Sequence, residues 1–357
     1  MNISISSSVL TDALRRLDKL TPTKAVLPIL SHVLIHAEMG QVRLSATDTE
    51  LSLTRDCAAT IQMAGHVALP CKPLLNIISQ ITEPDVRLIA EKNGVRVASG
   101  QFKLSLRALD AKEFPVLSAP AGKSTLINGA LLRKLLRNVH PCISATEKRY
   151  NINGALLVLS GNTLALVTTD GKRLAVATGA FPGDPLQYQV ILPTKLIENL
   201  IADDADDYGF SHSDNVLFFS TDAATITSRM IDGQFPNYQR IIPQSNHMIV
   251  TAPRDALNAA LKRVSAVAGD TKIVNFSVSD GILQVQAKNN ELGDAIENVA
   301  VTYAGPATRV NVQAQAIIDF LDCADNASIE MKMGGPSAAV LLADGQNFIT
   351  VAMAVRL

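Results

Sequence analysis

The chain has 357 residues, 47% hydrophobic and 18% charged, with a net charge of −1; this composition indicates a globular fold and excludes a disordered or fibrous chain. No apolar run approaches the roughly 18 residues of a membrane-spanning helix, and Met1-Asn2-Ile3-Ser4-Ile5 lacks the basic stretch of a secretory leader. Cys57, Cys71, Cys142 and Cys323 have no regular spacing, which excludes a C-x-x-C site and predicts reduced thiols in a cytoplasmic protein.

The first predicted element is an amphipathic helix, with Leu10, Ala13, Leu14 and Leu17 at i, i+3, i+4 and i+7. Thr11 or Ser8 is its expected cap. A turn at Met39-Gly40 leads into an alternating strand over 41–45. A second helix is marked by Leu74, Ile77 and Ile78, with Lys72 at its start.

The same order then returns. Leu132, Leu135, Leu136 and Val139 form the next stripe. A strand over 163–167 follows Gly161-Asn162, and Ile197, Leu200 and Ile201 mark a helix begun by Lys195. A third pass has Leu257, Ala260, Leu261 and Val264, with Pro253 in the first turn. It continues with a strand over 282–286 after Asp280-Gly281 and a helix over Ile317, Phe320 and Leu321, where Gln315 replaces the lysine.

Short motifs repeat with these elements. Leu69-Pro70-Cys71-Lys72 returns as Leu192-Pro193-Thr194-Lys195, and Ala46-Thr47-Asp48 as Thr168-Thr169-Asp170. Glu113-Phe114-Pro115 returns as Gln234-Phe235-Pro236, an offset of 121 residues. A fixed period is the mark of a repeat architecture. Three domains are expected, at 1–121, 122–246 and 247–357. Each is α+β, with helices gathered on one side of antiparallel sheets.

The first helix of each repeat is basic on its polar face: Arg15, Arg16 and Lys19; Arg133, Lys134 and Arg137; Arg254, Lys262 and Arg263. Against these nine cations the same segments hold only Asp12, Asp18 and Asp255. One such helix reads as readily as a solvated face; a bias that recurs three times favours a polyanionic partner over that reading. Chemistry is harder to find. There is no phosphate loop, dinucleotide fingerprint, nucleophile elbow or His-Glu-x-x-His. The histidines are scattered; His32 and His36 share one face of a strand and lack further ligands. Asp170-Gly171 and Gly334-Gly335-Pro336 read as turns, and the acidic run over 203–207 as an exposed loop. No catalytic constellation, cofactor or metal is expected.

The segments Leu27-Pro28-Ile29-Leu30, Arg149-Tyr150-Asn151-Ile152-Asn153-Gly154 and Thr169-Asp170-Gly171-Lys172-Arg173-Leu174 carry a family resemblance. So do Asp232-Gly233-Gln234-Phe235-Pro236-Asn237-Tyr238 and Met353-Ala354-Val355-Arg356-Leu357. Over its full length the chain resembles the bacterial DNA polymerase III beta subunit, the sliding clamp.

The resemblance implies three repeated DNA-clamp domains. Sheets would lie outside, and two helices per domain would line a ring made by a head-to-tail homodimer. With helices about 10 Å apart, six would leave about 9 Å clear and twelve about 27 Å; only the latter admits a duplex about 20 Å wide. The basic helix faces, with Lys72 and Lys195, would then meet phosphates without reading bases. Lys24, Thr146 and Lys148 match loops that touch DNA.

A partner-peptide pocket is implied at Arg149, Asn151, Ile152, Thr169, Gly171, Lys172, Arg173, Leu174, Pro236, Arg240, Ile241, Val351, Met353, Ala354, Val355, Arg356 and Leu357. Ile152, Leu174, Ile241, Val351 and Met353 would supply an apolar groove, rimmed by Arg149, Arg173, Arg240 and Arg356. Asn151 stands where an aromatic is common, Lys172 where histidine is usual and Ala354 where proline is. The subunit contact would join Leu104 and Leu106 to Val267 and Ile273. Implied partners are double-stranded DNA, the replicative polymerase catalytic subunit, the clamp loader and other polymerase and repair proteins with a clamp-binding motif. The alternatives are a monomeric, non-encircling nucleic-acid-binding repeat protein and an enzyme built from repeats.

Overall fold

The structure is a computed structural model that describes residues 1–22, 26–38, 40–92, 94–120, 122–144, 150–181 and 186–356. The first repeat runs β1 (Asn2–Ser6), α1 (Ser7–Asp18), β2 (His32–Glu38), β3 (Gln41–Thr47), β4 (Leu51–Met63), β5 (Gly65–Pro70), α2 (Cys71–Ile78), β6 (Asp85–Glu91), β7 (Gly94–Ser99) and β8 (Phe102–Arg107). The second runs β9 (Thr125–Asn128), α3 (Gly129–Val139), β10 (Gly154–Gly161), β11 (Thr163–Thr169), β12 (Arg173–Ala180), β13 (Leu186–Pro193), α4 (Thr194–Ala202), β14 (Asp207–Ser213), β15 (Val216–Ser220) and β16 (Ala224–Arg229). The third runs β17 (Met248–Pro253), α5 (Arg254–Ser265), β18 (Ile273–Ser279), β19 (Ile282–Asn289), β20 (Gly293–Ala300), β21 (Thr308–Gln313), α6 (Ala314–Cys323), β22 (Ser328–Met333), β23 (Val340–Asp344) and β24 (Phe348–Ala352). Each repeat is thus one strand, a helix, four strands, a helix and three strands. A short strand precedes each opening helix, which the helical stripes alone did not announce.

The stripes face inward as their spacing requires. Leu10, Ala13, Leu14 and Leu17 of α1 are buried, as are their counterparts in α3 and α5. Each fully buried leucine contributes about 1.5–3 kcal/mol. The helix starts differ from expectation. Neither Ser8 nor Thr11 caps α1: Ser6 holds the N-cap position without a side-chain bond to a helical amide, its hydroxyl meeting that of Ser8 at 2.9 Å instead. The Thr11 hydroxyl instead donates back to the Ser7 carbonyl at 2.7 Å. Pro253 lies at the N-cap of α5 in extended conformation, one residue before the first turn. Among the described α-helices only α3 has a side-chain cap, where Asn128 Oδ1 accepts from the Leu131 amide at 2.9 Å.

A backbone bond common to the three repeats does the remaining work. The first helical amide of Ser7, Gly129 and Arg254 donates to the carbonyl of Pro84, Asp206 and Ala327. Each acceptor lies just past the second helix of its repeat. These bonds satisfy one orphan donor and fix the helix entry.

The chain divides into two compact units, 1–126 with 207–230, and 127–206 with 231–357. In the first unit the strand order is β8-β7-β6-β1-β4-β16-β15-β14, and a branch β4-β3-β2-β5 leaves it at β4. Helices α1 and α2 pack together, and α1 covers β1, β3 and β4. In the second unit one sheet runs β13-β10-β11-β12-β24-β23-β22-β17 and another β20-β19-β18-β21. Helix α3 lies on β11 and β12, and α5 on β18, β19 and β20. All the pairings within these sheets are antiparallel.

The joints between repeats use one rule. Strand β4 of the first repeat pairs with β16 of the second, and β12 of the second with β24 of the third. In both cases the third strand of the four-strand group meets the last strand of the following repeat. By the same rule β20 and β8 are the strands left over, and each is a sheet edge in this chain.

Candidate partner groove and nucleic-acid face

In the second unit, β10, β11, β12 and β24 align an apolar row by register: Leu156 opposite Val167, Val167 opposite Val176, and Val176 opposite Ile349. Leu174 opposite Val351 forms the next row. Successive rows reach the same face because side chains alternate along each strand. Ile152, Ile191, Phe235 and Leu341 complete the cluster, with Tyr238 and Ile242 among the side chains packed at its border. Two apolar side chains beside it in the chain remain uncovered: Ile241 is 38% and Met353 49% exposed. An apolar seat with exposed apolar margins suits a ligand with hydrophobic anchors.

Polar contacts order the turn beside this cluster. Thr169 Oγ1 donates to the Arg173 carbonyl at 2.7 Å and accepts from the Gly171 amide. Asp170 Oδ1 accepts from the Lys172 and Arg173 amides, both at 2.9 Å. Gly171 sits at φ +85°, which favours glycine. The Lys172 carbonyl accepts from the Met353 amide at 3.1 Å, tying the C-terminal segment to this turn. Asn151 donates to the Gln234 carbonyl at 2.7 Å and so anchors the segment that carries Phe235 and Pro236.

Arg173 departs from the rim position expected of it. Its Nε donates to Asp170 at 2.9 Å, Nη1 to Asp319 on α6 at 2.5 Å, and Nη2 to the Pro141 carbonyl. The guanidinium is committed inward, because three acceptors there satisfy its fork better than water at the rim. Arg240 and Arg356 are exposed, and Ala354 and Val355 half-buried. Arg149 and Leu357 lie outside the described residues.

Folding redistributes the basic face. Arg133 and Arg137 of α3 donate to the Ala205 and Ile201 carbonyls and have no carboxylate partner among the described residues. Lys134 pairs with Asp325 and Arg15 with Asp12. Lys19, Lys72 and Lys195 are exposed and Arg16 half-buried.

All three α5 cations are neutralised: Arg254 by Asp255, Lys262 by Asp322 at 2.8 Å, and Arg263 by Glu297 at 2.5 Å. The basic face expected of α5 is therefore matched by its own Asp255 and by acids that α6 and β20 bring to it. Burial alone would raise the Asp322 carboxyl, but Lys262 and Asn258 outweigh it and hold the group below its ordinary value. Arg263 holds Glu297 low in the same way. Lys24, Thr146 and Lys148 lie outside the described residues.

Leu104 and Leu106 are half-buried on the edge strand β8. Val267 and Ile273 are half-buried where α5 ends and β18 begins. Sequence reading missed Leu156, Val167, Val176 and Ile349, whose signal was strand alternation combined with register. It also missed Phe235, which the repeated Phe-Pro mark had already flagged.

Models of the DNA polymerase III beta subunit match the chain three times: the N-terminal domain over residues 1–118, the central domain over 126–237 and the C-terminal domain over 239–356. The beta sliding clamp of Pseudomonas aeruginosa is 27% identical over 370 residues, covering 100% of both chains. That of Caulobacter vibrioides is 29% identical over 357 residues, covering 96% of each. The crystal structure of the Pseudomonas aeruginosa DNA polymerase III subunit beta superposes with a TM-score of 0.95 at 26% identity, over 100% of both chains. With three clamp domains in order along its whole length, this chain belongs to the bacterial DNA polymerase III beta subunit family.

Proposed function

We propose that this protein is a DNA sliding clamp: two copies close into a ring around duplex DNA and tether the replicative polymerase. The carrying observation is the unused joint. Strands β20 and β8 are the two sheet edges that the β4–β16 and β12–β24 rule leaves unpaired. An exposed edge is a template for pairing with another chain. Joining β20 of one copy to β8 of the next is a head-to-tail contact whose rotation closes after two copies of a three-repeat chain. Leu104 and Leu106 bring half-buried side chains to that joint, and Ile296 on β20 is 57% exposed. Val267 and Ile273, in the same repeat as β20, are assigned to the contact by the resemblance.

The domains are read as 1–121, 122–246 and 247–357. Helices α1 to α4 present Arg15, Arg16, Lys19, Lys72, Arg133, Lys134, Arg137 and Lys195 to phosphates, and Lys24, Thr146 and Lys148 join them by the resemblance. Contact is weak and sequence-independent, and retention is topological. The apolar groove takes short linear motifs of the polymerase, the clamp loader and other polymerase and repair proteins. The protein works in the cytoplasm, carries out no chemistry of its own and needs no cofactor. Native mass spectrometry tests the joint: the wild type runs as a dimer and Leu106→Asp as a monomer. A wild-type monomer at micromolar concentration would refute the ring.

A further inference from the structure

The partner groove has a counterpart in the first unit, one repeat earlier. The row Leu156, Val167, Val176, Ile349 corresponds, strand for strand, to Leu34 opposite Ser45, Ser45 opposite Thr54, and Thr54 opposite Thr225. Leu174 opposite Val351 corresponds to Ser52 opposite Thr227. Phe235 corresponds to Phe114, and both begin an irregular strap after the last turn of their domain. A cavity of about 420 Å³ lies here, lined by these strands and by the strap over Phe114–Pro120. The frame is kept, but hydroxyls replace every aliphatic except the leucine on β2.

The replaced row has a graded chemistry. At one end Leu34 and Leu117 pack beside Phe114, an apolar seat. In the middle Ser45 and Thr54 share a hydrogen bond of 3.2 Å. Beside this middle pair, two residues along β3 and β4, Arg43 grips both oxygens of Asp56, at 2.7 and 2.9 Å. The Asp56 amide donates to the Ala223 carbonyl at 2.8 Å, which brings the turn bearing Asp222 alongside. Asp222 is exposed and has no ion pair among the described residues. With Asp56 already neutralised by Arg43, the turn before β16, at the far end of the row, carries one uncompensated negative charge.

We propose that this groove is a second peptide site, which accepts an extended segment with an apolar side chain at one end, a basic side chain at the other and small polar side chains between. The peptide class rests on the reading of the second-unit groove. The polar and basic specificity rests on the residues of this one. Four strands at about 4.8 Å spacing span about 14 Å, the length of about four extended residues. Hydroxyls that bond one another can exchange partners with ligand amides at little net cost. An aliphatic anchor on Ser45, Thr54 and Thr225 would strip water from the hydroxyl capacity that the Ser45–Thr54 and Thr225–Ser220 bonds leave unused, with no apolar surface gained in return, so this site rejects the motifs the other takes.

The test uses the full chain and two fluorescein-labelled pentapeptides. One is leucine-serine-threonine-serine-lysine; the other is an apolar leucine- and phenylalanine-rich control for the second-unit groove. The polar peptide is expected to bind saturably by anisotropy, and Asp222→Asn to weaken it about fivefold while leaving the control unchanged. Ser45→Val, Thr54→Val and Thr225→Ile together should abolish polar-peptide binding and raise the control stoichiometry from one to two per chain. No saturation of the polar peptide at about 1 mM, or binding indifferent to Asp222→Asn, overturns the proposal. Failure of the control on wild-type protein would refute the second-unit groove instead, since the polar arm reads only the first unit.

Discussion

The clearest quantitative consequence of the structure concerns which cations meet DNA. Arg133 and Arg137 keep full charge, because their partners are neutral backbone carbonyls. Lys262 and Arg263 are already matched by Asp322 and Glu297. Removing one cation that neutralises a phosphate lowers the slope of log K against log salt by about 0.9. Arg133→Ala with Arg137→Ala should therefore cut the slope by about 1.8. Between 50 and 200 mM salt, that is about a twelvefold smaller loss of affinity than in the wild type. Lys262→Ala with Arg263→Ala leaves two bare carboxylates, so affinity falls at any one salt concentration while the slope stays within about 0.5 of the original. Asp322→Asn releases Lys262 and should steepen the slope by about 0.9. Fluorescence anisotropy of a 30-base-pair duplex across that salt range reads all three. Equal slope changes for the α3 and α5 variants would refute the charge map.

Other consequences follow from single positions. A Cβ at Gly154 would lie 2.1 Å from the Leu192 carbonyl across the β10–β13 pair, so Gly154→Ala should cost about 1–3 kcal/mol in urea unfolding. Met353→Asp places a charge at an exposed groove margin; it should weaken clamp-motif peptide binding at least about tenfold with unchanged melting temperature. Burial pushes the Cys71 and Cys142 thiols up to about 12 and Cys323 to about 11, so iodoacetamide at pH 8 should modify them quickly only after denaturation. The folded Asp322 carboxyl titrates below its unfolded value of 3.8. Its stabilising contribution is thus complete above that pH and is lost as pH falls through the folded value. Asp322→Asn should flatten that acid limb of the stability curve, read by urea midpoints from pH 5 to pH 2.

The helices and their repeat were legible because a 3.6-residue stripe is a local signal, and three copies in matching places corroborate one another. The joint rule was not, since β4–β16 and β12–β24 pair residues more than 160 positions apart. The groove was half legible. Leu174 and Val351 came from the resemblance, whereas Val167, Val176 and Ile349 needed cross-strand register. Arg173 was misplaced because nothing local indicates that Asp319 lies within reach. The α5 charge balance failed for the same reason: Asp322 and Glu297 lie 60 and 34 residues from their partners. Electrostatics read from a helix alone omits what other elements bring to it.

Retention on DNA with and without free ends tests the encircling ring most directly. The protein is loaded by a clamp loader onto nicked circular DNA at a salt concentration that suppresses simple binding, and the circle is then cut once. The ring reading predicts stable retention on the circle and rapid loss after linearisation. Equal retention on both would contradict it.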